Sequence, residues 1–176
     1  MHELVIRRLA PEPHLIAALA ALLVETVAGG GSVSFMHPLS VEKATTFCRA
    51  ALEAGARGER IVLGAFLGEE LAGTVTLQLA LPENQPHRAE IAKMMTRPAC
   101  RGRGIASALL REAEKLALAR DRTLLVLDTA TDGGAAGLYE KHGFIPAGEI
   151  PDFALKPQGG LTGTRLYFKR LGTPAV

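Results

Sequence analysis

The segment MMTRPACRGRGIASALLREAE, residues 94–114, sets two glycines between arginines, after an apolar run and ahead of a helical pattern. Ile105, Leu109, Ala113, Leu116 and Ala117 share one face at helical spacing, which predicts a helix over 104–120. A loop of small residues between a strand and a helix leaves several N–H groups without helical partners. The helix dipole adds roughly half a positive charge at that end. Without a Cβ at Gly102 and Gly104, an anion can come close to the main chain. Arg101 and Arg103 add fixed charge and fork-shaped donors. The expected occupant is a pyrophosphate; the alternatives are an RNA backbone or a solvated turn with incidental arginines.

Outward from this loop the chain alternates strands and helices. LVIRRL (4–9) reads as a strand, and the Ala/Leu-rich 13–28 as a helix stopped by the glycines at 29–31. Ser40 is an N-cap for a second helix that runs to about Ala54 and is closed by Gly55. Two apolar runs about GEE predict a hairpin over 60–81, and AEIAKMMT (89–96) a fourth strand. TLLVLDT (123–129) is too continuously apolar to be exposed on either face. A short helix in AAGLYEKHG ends at Gly143. FIPAGEI (144–150) and TRLYFKR (164–170) close the chain as strands, separated by a Pro/Gly-rich loop at 151–164. The order β-α-α-β-β-β-α-β-α-β-β, without repeat or linker, predicts one α/β domain over residues 1–176.

Bulk composition narrows the function. With 20 Lys+Arg against 18 Asp+Glu the net charge is only +2, which argues against a nucleic-acid partner with its need for a broad basic face. Cys48 and Cys100 are too few for a disulfide framework, and a reduced, cytoplasmic setting is expected. The start, MHELVIRRLAPEPH, has arginines and prolines where a signal peptide needs an apolar core. No apolar run approaches the roughly 18 residues of a membrane span. The five histidines (2, 14, 37, 87 and 142) are scattered, so no metal site is expected.

The loop admits several readings. A P-loop needs Lys-Ser/Thr after its last glycine, and Ile105-Ala106 follow instead. A dinucleotide fingerprint comes closer, with Gly102-x-Gly104-x-x-Ser107 and Asp128 ending the next strand, but such turns are usually tighter and less cationic. The third is Arg-x-x-Gly-x-Ala, met by Arg101, Gly104 and Ala106. A second motif, AAGLYEKHGF at 135–144, supplies Ala135, Leu138, Tyr139, Lys141, Gly143 and Phe144 in the pattern A-x-x-L-Y-x-K-x-G-F. Together, in this order, the two motifs resemble the GNAT superfamily of acyl-CoA-dependent N-acetyltransferases. HRAEIAKMM, LLVLDTATDGGAAGLYEKHGF, IPDFALKPQGGL and YFK resemble, more narrowly, the tabtoxin-resistance type, which acetylates a small amino-acid-like toxin.

The resemblance implies a central mixed, mostly antiparallel sheet of about seven strands flanked by about four helices. It implies acetyl-CoA as co-substrate, held by Met94, Met95, Thr96, the run Arg101, Gly102, Arg103, Gly104, Ile105 and Ala106, and Ala135. Family members often carry Asn seven residues before the tyrosine; Asp132 stands there, which alters a contact to the pantetheine arm. Acetyl transfer needs a deprotonated amine, a stabilised carbonyl oxygen and a protonated leaving thiolate. Deprotonating a lysine-like amine costs about 4 kcal/mol at pH 7, an α-amino group only about 1, so a base worth about 10²–10⁴-fold matters most in the first case. Glu90, opening the fourth strand, is the leading base, with Asp128 as second carboxylate, relay or amine anchor. Tyr139 is the general acid by the same likeness, and a backbone N–H near Met94 or Met95 the oxyanion donor. His37 could bind a substrate carboxylate; Arg88 and Lys93 are further candidates of that kind. Attack is direct, without a cysteine nucleophile. The expected partner is a small polar amine, with a homodimer allowed. A non-catalytic acyl-CoA sensor and a dinucleotide-dependent enzyme are the other classes.

Overall fold

The computed structural model describes residues 3–172, so the sequence reading of His2 lies outside the described residues. Strand β1 (Leu4–Arg8) leads into helices α1 (Pro13–Ala28) and α2 (Val41–Ala56). Strands β2 (Arg60–Leu67), β3 (Glu70–Gln78) and β4 (Arg88–Thr96) follow, then a 3₁₀ turn at Pro98–Cys100 and helix α3 (Ile105–Leu118). Strand β5 (Leu124–Ala130), helix α4 (Ala136–Lys141) and strands β6 (Ile145–Leu155) and β7 (Leu161–Arg170) complete the chain. The seven strands form one sheet in the order β1-β2-β3-β4-β5-β7-β6, antiparallel except for β4 against β5. The expected fold class is the one observed.

Each face of the sheet carries its own apolar layer. Helix α1 buries Leu15, Ile16, Leu19, Leu22, Leu23 and Val27, an i, i+3/i+4 stripe, and with α2 it covers β2, β3 and β4. On the other face α3 buries Ile105, Leu109, Leu110, Ala113 and Ala117; Leu116, expected on that stripe, is only half-buried. Ser40 caps α2 as expected, its hydroxyl accepting from the Lys43 amide at 3.2 Å.

Two boundaries and one burial pattern differ from expectation. Helix α2 does not stop at Gly55 but continues to Ala56, and the chain turns at Gly58 (φ +80°), whose amide bonds back to Gly55 at 3.0 Å. The predicted loop at 151–164 is largely strand: β6 continues to Leu155 and β7 begins at Leu161. As the outermost strand, with only β7 beside it, β6 can hold Pro146 and Pro151 without losing ladder bonds on both sides. Register shifts between Pro146 and Gly148, and between Ile150 and Ala154, absorb them. Finally, β5 is not covered on both faces. Leu125 and Leu127 are buried, Leu124 and Val126 half-buried, and Asp128 exposed, because α1 and α2 lie over β2–β4 and leave that side of β5 open.

Candidate functional site

The site begins where the sheet comes apart. The parallel pairing of β4 with β5 lasts for three registers, ending at Glu90↔Val126. Beyond it the two strands diverge and their facing backbone edges border a gap. Strand β4 also bulges here: Thr76 pairs with Ala92 but Thr74 with Met95, so Val75 alone opposes Lys93 and Met94. Lys93 sits in the bulge at φ +52°, a left-handed conformation uncommon for a non-glycine residue. A cleft of about 280 Å³ runs through the gap, and its walls include residues 91–96 of β4 and 128–130 of β5.

The loop after β4 borders the same cleft through Arg101. Gly102 and Gly104 take φ of +75° and +76°, and a Cβ at either would meet nothing within 4 Å. Gly104 is the residue before α3, and no side chain caps that helix. The Arg101 amide is already engaged, donating to the Pro98 carbonyl at 3.3 Å. The amides of residues 102–107 have no acceptor among the described residues. The free donor run therefore starts one residue later than the sequence suggests. Its electrostatics favour an anion. Arg103 is exposed, the Ile105 side chain packs in the core at 2% exposure, and Ala106 is half-buried.

Tyr139 and Asp128 meet in the cleft. The tyrosine comes from α4, held edge-on against Phe144 (centroids 5.8 Å apart) and tilted against Tyr167 at 6.1 Å. Burial first, and the nearby Asp128 charge second, push its phenol up to about 12, so the group holds its proton throughout the neutral range. Asp128 is oriented by the Thr164 hydroxyl, which donates to its Oδ2 at 2.9 Å. Lys93 lies on the same wall; burial pulls its ammonium below the usual lysine value, partly countered by Asp128. Its Nζ donates to Ser34 Oγ at 2.9 Å, fastening the α1–α2 loop to the bulge. Arg97, at the end of the strand, holds Glu25 of α1 at 2.7 Å and the Leu71 carbonyl at 2.8 Å.

Other sequence-derived residues fall elsewhere. Ala135, Met94, Met95 and Thr96 line the cleft. Glu90 does not; its Oε1 accepts from Arg88 Nη1 at 2.6 Å. It nonetheless shares a sheet face with Asp128, since Glu90 pairs with Val126 and side chains alternate. Asp132 accepts from the Thr162 hydroxyl at 2.7 Å and pairs with Lys156 at 3.5 Å, and that hydroxyl above all lowers its pKa. His37 is exposed and outside the cleft lining. Sequence reasoning missed the loop residues Gly31, Ser32 and Val33, and Thr129 and Ala130 of β5. No motif marks them; the loop residues reach the cleft beside Ser34, which Lys93 holds at 2.9 Å, and Thr129 and Ala130 reach it because β5 has parted from β4 there. Among the described residues no group of three or more His, Cys, Asp or Glu side chains could hold a metal ion. No helix there is long and apolar enough to cross a membrane.

Comparison with known proteins agrees with this fold. The sequence profile of the acetyltransferase (GNAT) family matches residues 12–144. An uncharacterized N-acetyltransferase of Escherichia coli (strain K12), YedL, is 38% identical over 95 residues, which make up 51% of this chain and 56% of that protein. The match thus spans little more than half the length of that relative. An N-acetyltransferase from Staphylococcus aureus Mu50 superposes with a TM-score of 0.81 at 19% identity, covering 97% of this chain and 99% of that one. The yncA protein of Salmonella typhimurium, solved with its cofactor acetyl-CoA, superposes with a TM-score of 0.79 at 15% identity, covering 98% and 96%. At these identities the two structures establish the fold.

Proposed function

The chain belongs to the acetyltransferase (GNAT) family, and on that footing we propose that it moves an acetyl group directly from acetyl-CoA to a small polar amine. One observation carries this reading: Arg101, Asp128 and Tyr139 line one opening between β4 and β5, and the unpartnered amides of residues 102–107 follow directly on Arg101. The amides and Arg101 receive the pyrophosphate of the carrier. The pantetheine arm follows the exposed edge of β4, past Met94, Met95, Thr96 and Ala135, so that the thioester lies at the bulge. An amide of that bulge stabilises the developing oxyanion.

Asp128 takes the amine proton, and Glu90, behind it on the same face, passes protons to solvent through water. Tyr139 then protonates the leaving sulfur. Its phenol near 12 is a weaker acid than a thiol near 8.5 by about 3.5 units, so it would be a poor donor on its own. The coupling to Asp128, the second cause of the shift after burial, narrows this gap. Once that carboxylate has accepted the amine proton, the charge that helped to raise the phenol is gone, and the donor strengthens as the thiolate forms. The two groups work as a pair whose states alternate.

An amino-acid-like acceptor, of the kind used by the tabtoxin-resistance type, belongs to the same reading and is supported by the sequence segments that resemble it. So do a single transferase domain over residues 1–176, a cytoplasmic setting, supported by two unpaired buried cysteines, and a homodimer, supported by exposed Ile145, Ile150, Phe153, Leu155 and Leu161 on β6 and β7. Thermal unfolding with acetyl-CoA, coupled to thiol release across a panel of amines, tests the proposal. At 100-fold excess over Kd the carrier adds about 2.7 kcal/mol of stability; NAD adds none. Stabilisation by NAD alone, or carrier binding with no thiol release from any amine, refutes it.

A further inference from the structure

A second cavity, of about 270 Å³, lies beneath α1 and α2 against the face of β2, β3 and β4. It shares Ala92, Lys93 and Met95 with the cleft, so the two spaces adjoin at the bulge. Leu19, Leu23 and Phe47 give it an apolar wall. Its volume exceeds the ~30 Å³ share of one water several-fold, enough for a chain of several carbon atoms.

One lining residue does not fit an apolar space. Arg60 opens β2, and the registers Arg60↔Gln78 and Gln78↔Glu90 set these three residues in one row on the α1–α2 face. Its Nε is buried and has no hydrogen-bond partner among the described residues. Arg122 also has an unpartnered Nε, but its Nη1 donates to the Pro86 and Arg88 carbonyls. Glu90, the carboxylate of the row, is already taken by Arg88. The Arg60 charge is felt by Lys93 across the cavity, where it helps to lower the lysine's pKa. Glu59, next to Arg60 in the chain, feels the arginine's charge but is paired with Arg57 at 2.6 Å. Two cations on one partly apolar cavity, with Glu59 and Glu90 each held by another arginine, form a receptor for an anion.

Resting on the transferase reading, we infer that this cavity is the acceptor's pocket and that Arg60 grips an anionic group at the far end of an apolar acceptor chain. The acceptor amine then sits at the bulge beside Asp128, its carbon chain lies under α1, and a carboxylate meets Arg60 and Gln78. From the bulge to the Arg60 row is two strand spacings across and about three residues along β4, roughly 14 Å between main chains; the arginine side chain spans part of it, which leaves room for a chain of roughly four to seven carbons between amine and acid. The substrate class is an ω-amino acid or an amino acid with a long acidic side chain.

Hexanoate and hexanol, added to the coenzyme-free protein carrying ¹³C-methyl methionine, test the inference. Met95 lines both spaces whereas Met94 lines only the cleft, so the two methyl signals report which is filled. Hexanoate is expected to shift Met95, saturably, with Met94 little changed, and to bind roughly tenfold or more tightly than hexanol. Arg60→Gln brings hexanoate to the level of hexanol, and Arg60→Lys recovers part of the preference. An unaltered methyl spectrum in the absence of probe shows each variant folded. Equal binding of the two probes, a shift at Met94 alone, or full hexanoate affinity in Arg60→Gln overturns the inference. Acetyl-CoA stabilisation without hexanoate binding fails the pocket alone; the reverse fails the transferase reading alone.

Discussion

Replacing Tyr139 with Phe removes one hydroxyl and leaves the ring against Phe144 and Tyr167. The effect divides into two measurable parts. If the phenol protonates the leaving sulfur, turnover falls by about 10²–10³, within the range for a positioned acid. The carrier's Kd changes less than twofold, because the amides of residues 102–107 are untouched. The second part needs no substrate. Burial pushes the phenol up to about 12 in the folded chain, against its ordinary value of 10.0. Between those pH values the unfolded chain has released a proton that the folded chain keeps, so the unfolded state binds fewer protons and stability falls as pH rises. Full stability is present below pH 10. About 2 units at 1.36 kcal/mol each give a loss of about 3 kcal/mol by pH 12. Cys48, whose thiol burial also pushes up to about 12, contributes to both proteins and cancels in the difference. Urea unfolding of the two proteins at intervals from pH 9 to 12 reads this directly. Parallel loss of stability, or equal losses of turnover and carrier affinity, would refute the reasoning.

Three further outcomes follow from the same geometry. Asp128→Asn lowers turnover by about 10²–10⁴ and brings the Tyr139 phenol below about 12; with only two tyrosines in the chain, alkaline ultraviolet titration resolves the change. Arg97→Met breaks the contacts to Glu25 and the Leu71 carbonyl and costs about 1–3 kcal/mol in denaturant unfolding. It also lowers turnover, because α1 loses its tie to the end of β4. Thr164→Val withdraws the donor at 2.9 Å from Asp128 Oδ2; the expected result is a several-fold fall in kcat, with carrier affinity held, in steady-state assays.

Elements governed by local rules were readable in the sequence. The bounds of α1 follow from its Ala/Leu composition and the glycines after it, and the stripe on α3 from its periodicity. The second half of β6 was not, because Pro151 breaks a central strand but not an outermost one, and strand order is a property of the whole sheet. The same division runs through the site. Arg101, Gly104 and Tyr139 belong to contiguous motifs, so spacing alone brings them forward. Arg60 looks like the solvated start of a hairpin; only the registers across β2, β3 and β4 put it in a row with Gln78 and Glu90. The bulge at Lys93 depends on one extra residue facing Val75, which no local pattern announces.

The parting of β4 from β5 has a consequence for traffic. An unbroken sheet is a wall, and ligands bound on its two sides never touch. A sheet that opens partway along gives each side its own door: under the proposed reaction the carrier enters from the α3 side and the amine from beneath α1 and α2. Neither has to step aside for the other, so the acetylated product can leave while the spent carrier is still seated.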